Sequence, residues 1–383
     1  MNRREPIAAV STDVTAFLGR TRRGPTDAPR LVQSMREFED LYGGPWTESP
    51  LGASVWHYFL NGGRQALICA IETGGAPLEA MHVSDPALEA DGRGLWMLDR
   101  CLDVNIVCIP PFQHGLDVDT ATWDAAIDWA WRRRAFVLVD PPQAWTSVHD
   151  VTLAAIDALV SPHDAVANAA LYFPRIRTAD PVTAGPGPVG TFVPSGAIAG
   201  IYARTDARRG VWKAPAGLEA RLDGVQVLSL AVTDDEQGDL NQRGINALRT
   251  FPSGHVVWGA RTLRGHDQLG SDWKYVPVRR LALMVEESVA RGLRWAVLEP
   301  GGPPLWDAIT RDTDSWLLKL FRRGAFAGRT PRAAYFVRCD ASTTPDEDVE
   351  SGVTTVVIGI APLKPSEFIL LKVTVLTAPV AQR

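Results

Sequence analysis

Residues 104–142 read VNIVCIPPFQHGLDVDTATWDAAIDWAWRRRAFVLVDPP. Two apolar runs, 104–109 and 135–139, each end on a proline pair, Pro110-Pro111 and Pro141-Pro142. Proline lacks the N–H that would continue a strand's ladder, so each pair closes its run. Residues 122–133 between them read as a helix. Strand, helix, strand, with strands apolar throughout rather than alternating, describes a sheet covered on both faces. The fold class that follows is α/β, with a mixed, largely parallel sheet and flanking helices.

The same alternation extends outward. Upstream, 14–18 and 66–71 read as strands, and 34–41, 51–60 and 86–100 as helices. Ser34 stands as N-cap with Glu37 three residues on, the pattern of a capping box, and Asn61-Gly62-Gly63 closes the second helix. Downstream, 147–160 reads as a helix and 167–173 as a strand stopped by Pro174. Residues 178–193, TADPVTAGPGPVGTFV, read as a loop, and 194–209 as a helix capped by the Ser195-Gly196 pair. Short strands flank 234–244. Long helices at 278–292 and 305–323 and strands at 333–339, 353–360 and 367–377 make an α+β C-terminal portion.

The chain has 383 residues, too many for one small core. Net charge is −5 and the sequence pI about 5.8, without the basic excess of a nucleic-acid binder. The longest apolar stretch, 353–362, is too short to span a bilayer, and the N-terminus MNRREPIAAV lacks an apolar secretory core, so residence in the cytoplasm is the default. Thirteen tryptophans suit a large core or a protein interface.

Motifs that carry chemistry are missing. There is no GxSxG elbow, no HExxH, no phosphate loop and no CxxC. Cys69, Cys108 and Cys339 lie in strand-like runs and, with Cys101, read as reduced thiols. His57 sits among Trp56, Tyr58 and Phe59 and reads as a packed helix residue. The carboxylates Asp234, Asp235, Glu236 and Asp239 open a helix, where negative charge complements the dipole, and Asp346-Glu347-Asp348 reads as a solvated loop. No catalytic residue, metal ligand or cofactor is assigned. The rival reading, a soluble α/β hydrolase-like enzyme, has no motif to carry its reaction.

Several long strings then occur in order: VSTDVTAFLGRTRRGP at 10–25, SPLGASVWHYFLNGG at 49–63, PSGAIAGIYARTDARRGVWKAPAG at 194–217, DLNQRGINALRTFPSGHVVWGARTL at 239–263 and SDWKYVPVRRLALMVEESVARGLRWAVLEP at 271–300. EFEDLYGG at 37–44, AYFVRCDASTT at 334–344 and KPSEFILL at 364–371 belong to the same series. Together they resemble the short form of the tail sheath family of contractile phages, R-type bacteriocins and extracellular contractile injection systems. The likeness is weakest over about 76–190.

That resemblance implies a structural subunit assembled in the cytoplasm into a phage tail or tail-like particle. Its partners would be other copies of itself, six per ring in stacked rings, an inner tube, and baseplate and cap proteins. No nucleic acid and no direct membrane insertion are implied. Contraction would drive the tube through a target envelope. Three portions are expected: an N-terminal linking arm at 1–12, an α/β sheath domain at 13–265 with an outer surface near 76–190, and a C-terminal domain at 266–383 ending in a donated strand at 366–377. The family also implies that terminal strands are exchanged between subunits. The candidate inter-subunit strand is Glu367, Phe368, Ile369, Leu370, Leu371, Lys372, Val373, Thr374 and Val375, of high strand propensity and low charge; the alternative is an internal strand of its own domain. The candidate arm is Pro6, Ile7, Ala8, Ala9 and Val10, shorter than relatives carry; the nine residues before Val10 reach at most ~30–32 Å. Lys319, Arg322 and Arg323 share one helix face opposite Trp316, Leu317, Leu320 and Phe321, a basic face suited either to an acidic tube or, as a solvated face, to complementing the helix C-terminus.

Overall fold

The computed structural model describes residues 6–182, 189–363 and 369–378. The chain forms two compact units: Ser11–Arg279, and Met1–Val10 together with Arg280–Arg383. The division thus falls inside the helix Val276–Gly292 rather than at 265/266, and the first ten residues group with the C-terminal unit.

In Ser11–Arg279 the strands are β1 Thr15–Gly19, β2 Arg30–Val32, β3 Ala66–Ala70, β4 Ile106–Cys108, β5 Phe136–Val139, β6 Ala169–Phe173, β7 Ile176–Ala179, β8 Val189–Phe192, β9 Val225–Leu228, β10 Asn246–Phe251 and β11 Gly254–Val257. Eight form one sheet, ordered β11-β10-β6-β5-β4-β1-β3-β2. Its inner pairs are parallel, and β2 and β11 close the edges antiparallel. Every residue of β1, β3, β4, β5 and β6 is buried, as their unbroken apolar runs require.

Alternate residues serve opposite faces. On one, Ala16, Leu18, Val107, Val137 and Leu171 join Trp123, Ile127 and Trp129 of the helix Thr120–Arg133 in a single core. On the other, Phe17 meets Tyr58 at 5.4 Å between ring centres, and Phe136 and Tyr172 meet Tyr202 at 6.4 and 6.2 Å. Tyr58 and Tyr202 come from the helices Leu51–Leu60 and Ser195–Arg209, which pack closely on each other. Glycine permits that approach: a Cβ on Gly196 would lie 2.2 Å from the Ser54 carbonyl oxygen, and one on Gly200 2.4 Å from that of Tyr58.

Local expectations differ from the structure in a few places. The helix expected over 86–100 is broken by left-handed Gly92 (φ 59°) into Ala87–Asp91 and the tighter turn Gly94–Arg100. The helix expected over 147–160 shortens to Leu153–Leu159, capped by Thr152. The loop expected over 178–193 is flanked by strands instead: β7 and β8 pair antiparallel, and β9 joins the other edge of β7. That ladder is closed by a distant segment, so no local pattern announces it. Glu37 Oε2 accepts from the Gln33 N–H at 2.7 Å while Ser34 Oγ accepts from the Glu37 N–H at 3.2 Å, so the capping box reaches one residue further back than read. Thr233 and Glu236 form a reciprocal box at the start of the helix Asp234–Gln242. Asp346–Glu350 is a short exposed helix rather than a loop.

The second unit carries the antiparallel sheet β12 Tyr335–Arg338, β13 Val353–Ile360 and β14 Ile369–Leu376, in that order. The helix Pro303–Arg322 buries Trp316, Leu317 and Leu320.

Candidate assembly site

The terminal strand is seated on its own chain. All eight residues of β14 pair with β13, from Ile360–Ile369 to Val353–Leu376. Ile369, Leu371, Val373 and Val375 are buried, while Leu370, Lys372, Thr374 and Leu376 face outward. Leu370 and Leu376 are 63% and 64% exposed, and Lys372 is the single charge of the strand. The strand expected to leave for a neighbour therefore supplies half of a hairpin here; Glu367 and Phe368 lie outside the described residues. Among the described residues, no strand pairs with the outer edge of β14, which ends the sheet order. Past β14 the chain turns to Glu299, whose carbonyl accepts from the Ala378 N–H at 3.0 Å. A strand edge with exposed leucines and one lysine is a template for another strand.

The arm residues are also partly engaged. Ile7 is 5% exposed and packs on Gly292, where a Cβ would sit 2.7 Å from it. The Val10 N–H donates to Ser288 Oγ at 3.0 Å. Pro6, Ala8 and Ala9 are exposed. Ile7 thus anchors this segment on its own chain. Lys319, Arg322 and Arg323 are exposed at the end of the helix Pro303–Arg322, with Phe321 half-buried between this face and the core stripe.

Doubly wound sheets offer a second place to look, the crevice beyond the carboxyl ends of the strands where the order reverses. Here the reversal lies between β1 and β4. Polar side chains that follow β4, β5 and β6 bind one another. Arg175 donates to the Pro141 carbonyl through Nε at 3.0 Å and pairs with Asp117, which also accepts from the Gln143 N–H. Asp140, just past β5, accepts from the Ser195 N–H at 3.0 Å and from Ser195 Oγ at 2.7 Å. Ser195 therefore opens its helix bound to Asp140 instead of capping it, and at 2% exposure its hydroxyl is no nucleophile in waiting. Burial pushes the Asp140 carboxyl up to about 7, against the lowering effect of the Ser195 bonds and of Arg175. The adjoining cavity, lined by Ser54, Gln113, His114, Arg175 and Phe192 among others, has room for about 30 Å³, a few water molecules. Sequence reading passed over this network; its one local signal is an acidic residue directly after a fully apolar strand.

His57 is fully buried and its Nε2 lies 3.0 Å from Thr178 Oγ1. All four cysteines are free, and Cys69, Cys108 and Cys339 are buried. Among the described residues, no group of three or more His, Cys, Asp and Glu side chains is placed to hold a metal ion, and no helix is long and apolar enough to cross a membrane.

The geometry defines a doubly wound α/β unit and, among the described residues, a C-terminal sheet that ends on β14. No family model matches the chain. A stretch of 179 residues is 25% identical to the tail sheath protein of Vibrio phage KVP40; it spans 46% of this chain and 25% of that protein, so the match covers about a quarter of the curated relative. Among solved structures, the sheath complex of the extracellular contractile injection system PVC in its contracted state aligns with TM-score 0.75 and 28% identity, over 97% of this chain and 94% of that one. The helical sheath of the anti-feeding prophage in its contracted state aligns with TM-score 0.71 and 27% identity, over 96% and 94%. In sequence and in fold the chain is thus similar to the sheath proteins of contractile tails and tail-like particles.

Proposed function

We propose that this chain is the protomer of a contractile sheath, polymerising as stacked hexameric rings around an inner tube and shortening to drive that tube through a target envelope. The observation that carries the reading is the alignment of nearly the whole chain, in sequence and in fold, with sheath subunits of two contractile particles. The partners are further copies of the chain, the tube, and the baseplate and cap at its ends; the particle is assembled in the cytoplasm. The role is mechanical, and no catalytic step is assigned to any residue.

The hairpin of β13 and β14 changes how subunits join. In place of a donated β14, the outer edge of β14 accepts a strand from a neighbouring copy. Each backbone hydrogen bond so formed contributes about 0.5–1.5 kcal/mol, enough in series to hold subunits while their bodies rotate. Head-to-tail contacts of this kind are heterologous and generate rings or open helices.

Tube docking is assigned to the exposed face of Lys319, Arg322 and Arg323. Reversing charge with Lys319→Glu and Arg322→Glu is expected to leave the circular dichroism of the protein unchanged and to abolish decoration of purified tube. Normal decoration would remove the docking role. For the function as a whole, negative-stain microscopy of the purified protein with its tube is expected to show sheathed tubes; a persistent monomer that leaves the tube bare would overturn it.

A further inference from the structure

The second unit carries its charges in two blocks. Residues 319–338 hold six basic side chains, Lys319, Arg322, Arg323, Arg329, Arg332 and Arg338, and no acidic one. Residues 340–350 hold five acidic side chains, Asp340, Asp346, Glu347, Asp348 and Glu350, and no basic one. The two nearly cancel in the net charge, so their effect depends on where the sheet puts them.

It puts them at opposite ends. At one end β13 finishes at Ile360, paired with Tyr335 and Ile369. There the Ala327 N–H donates to the Ala361 carbonyl and the Ala361 N–H to the Ala334 carbonyl, both at 2.8 Å. These bonds hold the segment bearing Arg329 and Arg332 against the strand end, directly after the helix that carries Lys319 and Arg322. At the other end β13 starts at Val353, paired with Leu376. Thr344 Oγ1 accepts from the Thr355 N–H at 3.0 Å, and the Thr377 N–H donates to the Gly352 carbonyl at 2.7 Å. The turn between Thr344 and Gly352, with the helix Asp346–Glu350, therefore lies at that end, and exposed Glu299 joins it through its bond from Ala378. The eight residues of β13, at ~3.3 Å each, set the ends about 23 Å apart. Screening in water at 0.1 M salt acts over about 10 Å, so the two ends do not neutralise each other within one copy. Arg329, Arg332, Asp346 and Glu347 are exposed, and among the described residues none of the four is in an ion pair.

We propose that the acidic end of this sheet in one copy, Asp346 and Glu347 foremost, docks on Arg329 and Arg332 of the next copy. The inference rests on the sheath reading above and deepens it by naming which surfaces of successive copies meet. The occupant is a second copy because the unit itself carries the complement of its own basic end, out of its own reach. Opposite potentials steer the two ends together and penalise contact between like ends. The contact is heterologous: every addition leaves one basic and one acidic end free, the condition for a ring or an open helix. Docking uses the ends of the strands, so the outer edge of β14 stays open to a strand, and Lys319, Arg322 and Arg323 stay with the tube.

Sedimentation velocity of the full chain without tube, at about 30 mM and about 300 mM salt, tests the contact. The parent is expected to form species larger than a dimer at low salt and to fall apart at high salt. One variant joins Arg329→Glu to Arg332→Glu, and a second joins Asp346→Lys to Glu347→Lys. Each alone should lose about tenfold or more in the association constant. Mixed in equal amounts, the two should associate again, since the intact acidic end of the first fits the intact basic end of the second. Misfolding could mimic the separate losses but not this recovery. A parent that stays monomeric at low salt, a variant that associates alone as the parent does, or a mixture that stays apart overturns the contact. Assembly that stops at a dimer overturns its head-to-tail order. The sheath reading fails separately: bare tube beside a parent that still associates through charge would remove the sheath and keep the contact, whereas sheathed tube from each variant alone would remove the contact and keep the sheath.

Discussion

Replacing both Leu370 and Leu376 by lysine is expected to leave the subunit folded and to stop sheath growth. Both side chains already face solvent, at 63% and 64% exposure, so the isolated subunit gives up little. In the polymer each would lie beside a neighbour's strand on the outer edge of β14. Completing the burial of two leucines contributes about 2 kcal/mol per contact, roughly 30-fold in the association constant. Two added charges further discourage edge pairing. The loss recurs at every joint, so pelleting and negative-stain microscopy should show monomers where the parent gives tubes. Sheaths of ordinary length from the double variant would show that the edge is not the joint. Deleting residues 365–383 is a poorer test. Ile369, Leu371, Val373 and Val375 are all at or below 5% exposure. Their loss amounts to about 6–12 kcal/mol, comparable to the stability of a domain, and would unfold the unit before assembly could be judged.

Gly196→Ala should destabilise Ser11–Arg279 by about 2–3 kcal/mol, although alanine is the better helix former by about 1 kcal/mol. The added methyl meets backbone at 2.2 Å (Ser54 O) and 2.9 Å (Ser54 C), and backbone cannot swing aside as a flexible side-chain end can. The helix Ser195–Arg209 would have to lift off Leu51–Leu60 and loosen Tyr202 from Phe136 and Tyr172. Gly238 is the control. It is also helical, yet a Cβ there meets nothing within 4 Å, so Gly238→Ala should gain about 0.5–1 kcal/mol. Denaturant midpoints that move the same way for both glycines would refute the close-packing account.

Much of the fold is legible in the sequence because burial writes itself into composition. The strand read at 353–360 is observed as Val353–Ile360, and the proline pairs end β4 and β5 within a few residues of the expected points. Where reading fails, the deciding contact is remote in sequence. β7 and β8 are short and lie beside a Pro- and Gly-rich stretch of sequence, and the third strand of their ladder, β9, comes from beyond a long helix. The break at Gly92 was visible in principle, since Gly92 and Gly94 flank a single arginine and both take positive φ. For the terminal strand, propensity identifies a strand but cannot say whose. The same alternating Ile369–Leu376 would satisfy β13 of its own chain or a sheet on another copy; within this chain it pairs with β13. The basic face of Lys319, Arg322 and Arg323 was legible from helical spacing alone, whereas the Asp140–Ser195–Arg175–Asp117 network needs three loops and a helix start brought together.

The most direct measurement is an electron cryo-microscopy reconstruction of the polymer formed by the purified protein on its tube. The structure leads to density for an extended segment of a second copy running along the outer edge of β14 at strand spacing, with β13 and β14 still paired within each chain. A polymer in which every β14 edge faces solvent, the copies being held by other surfaces, would contradict it.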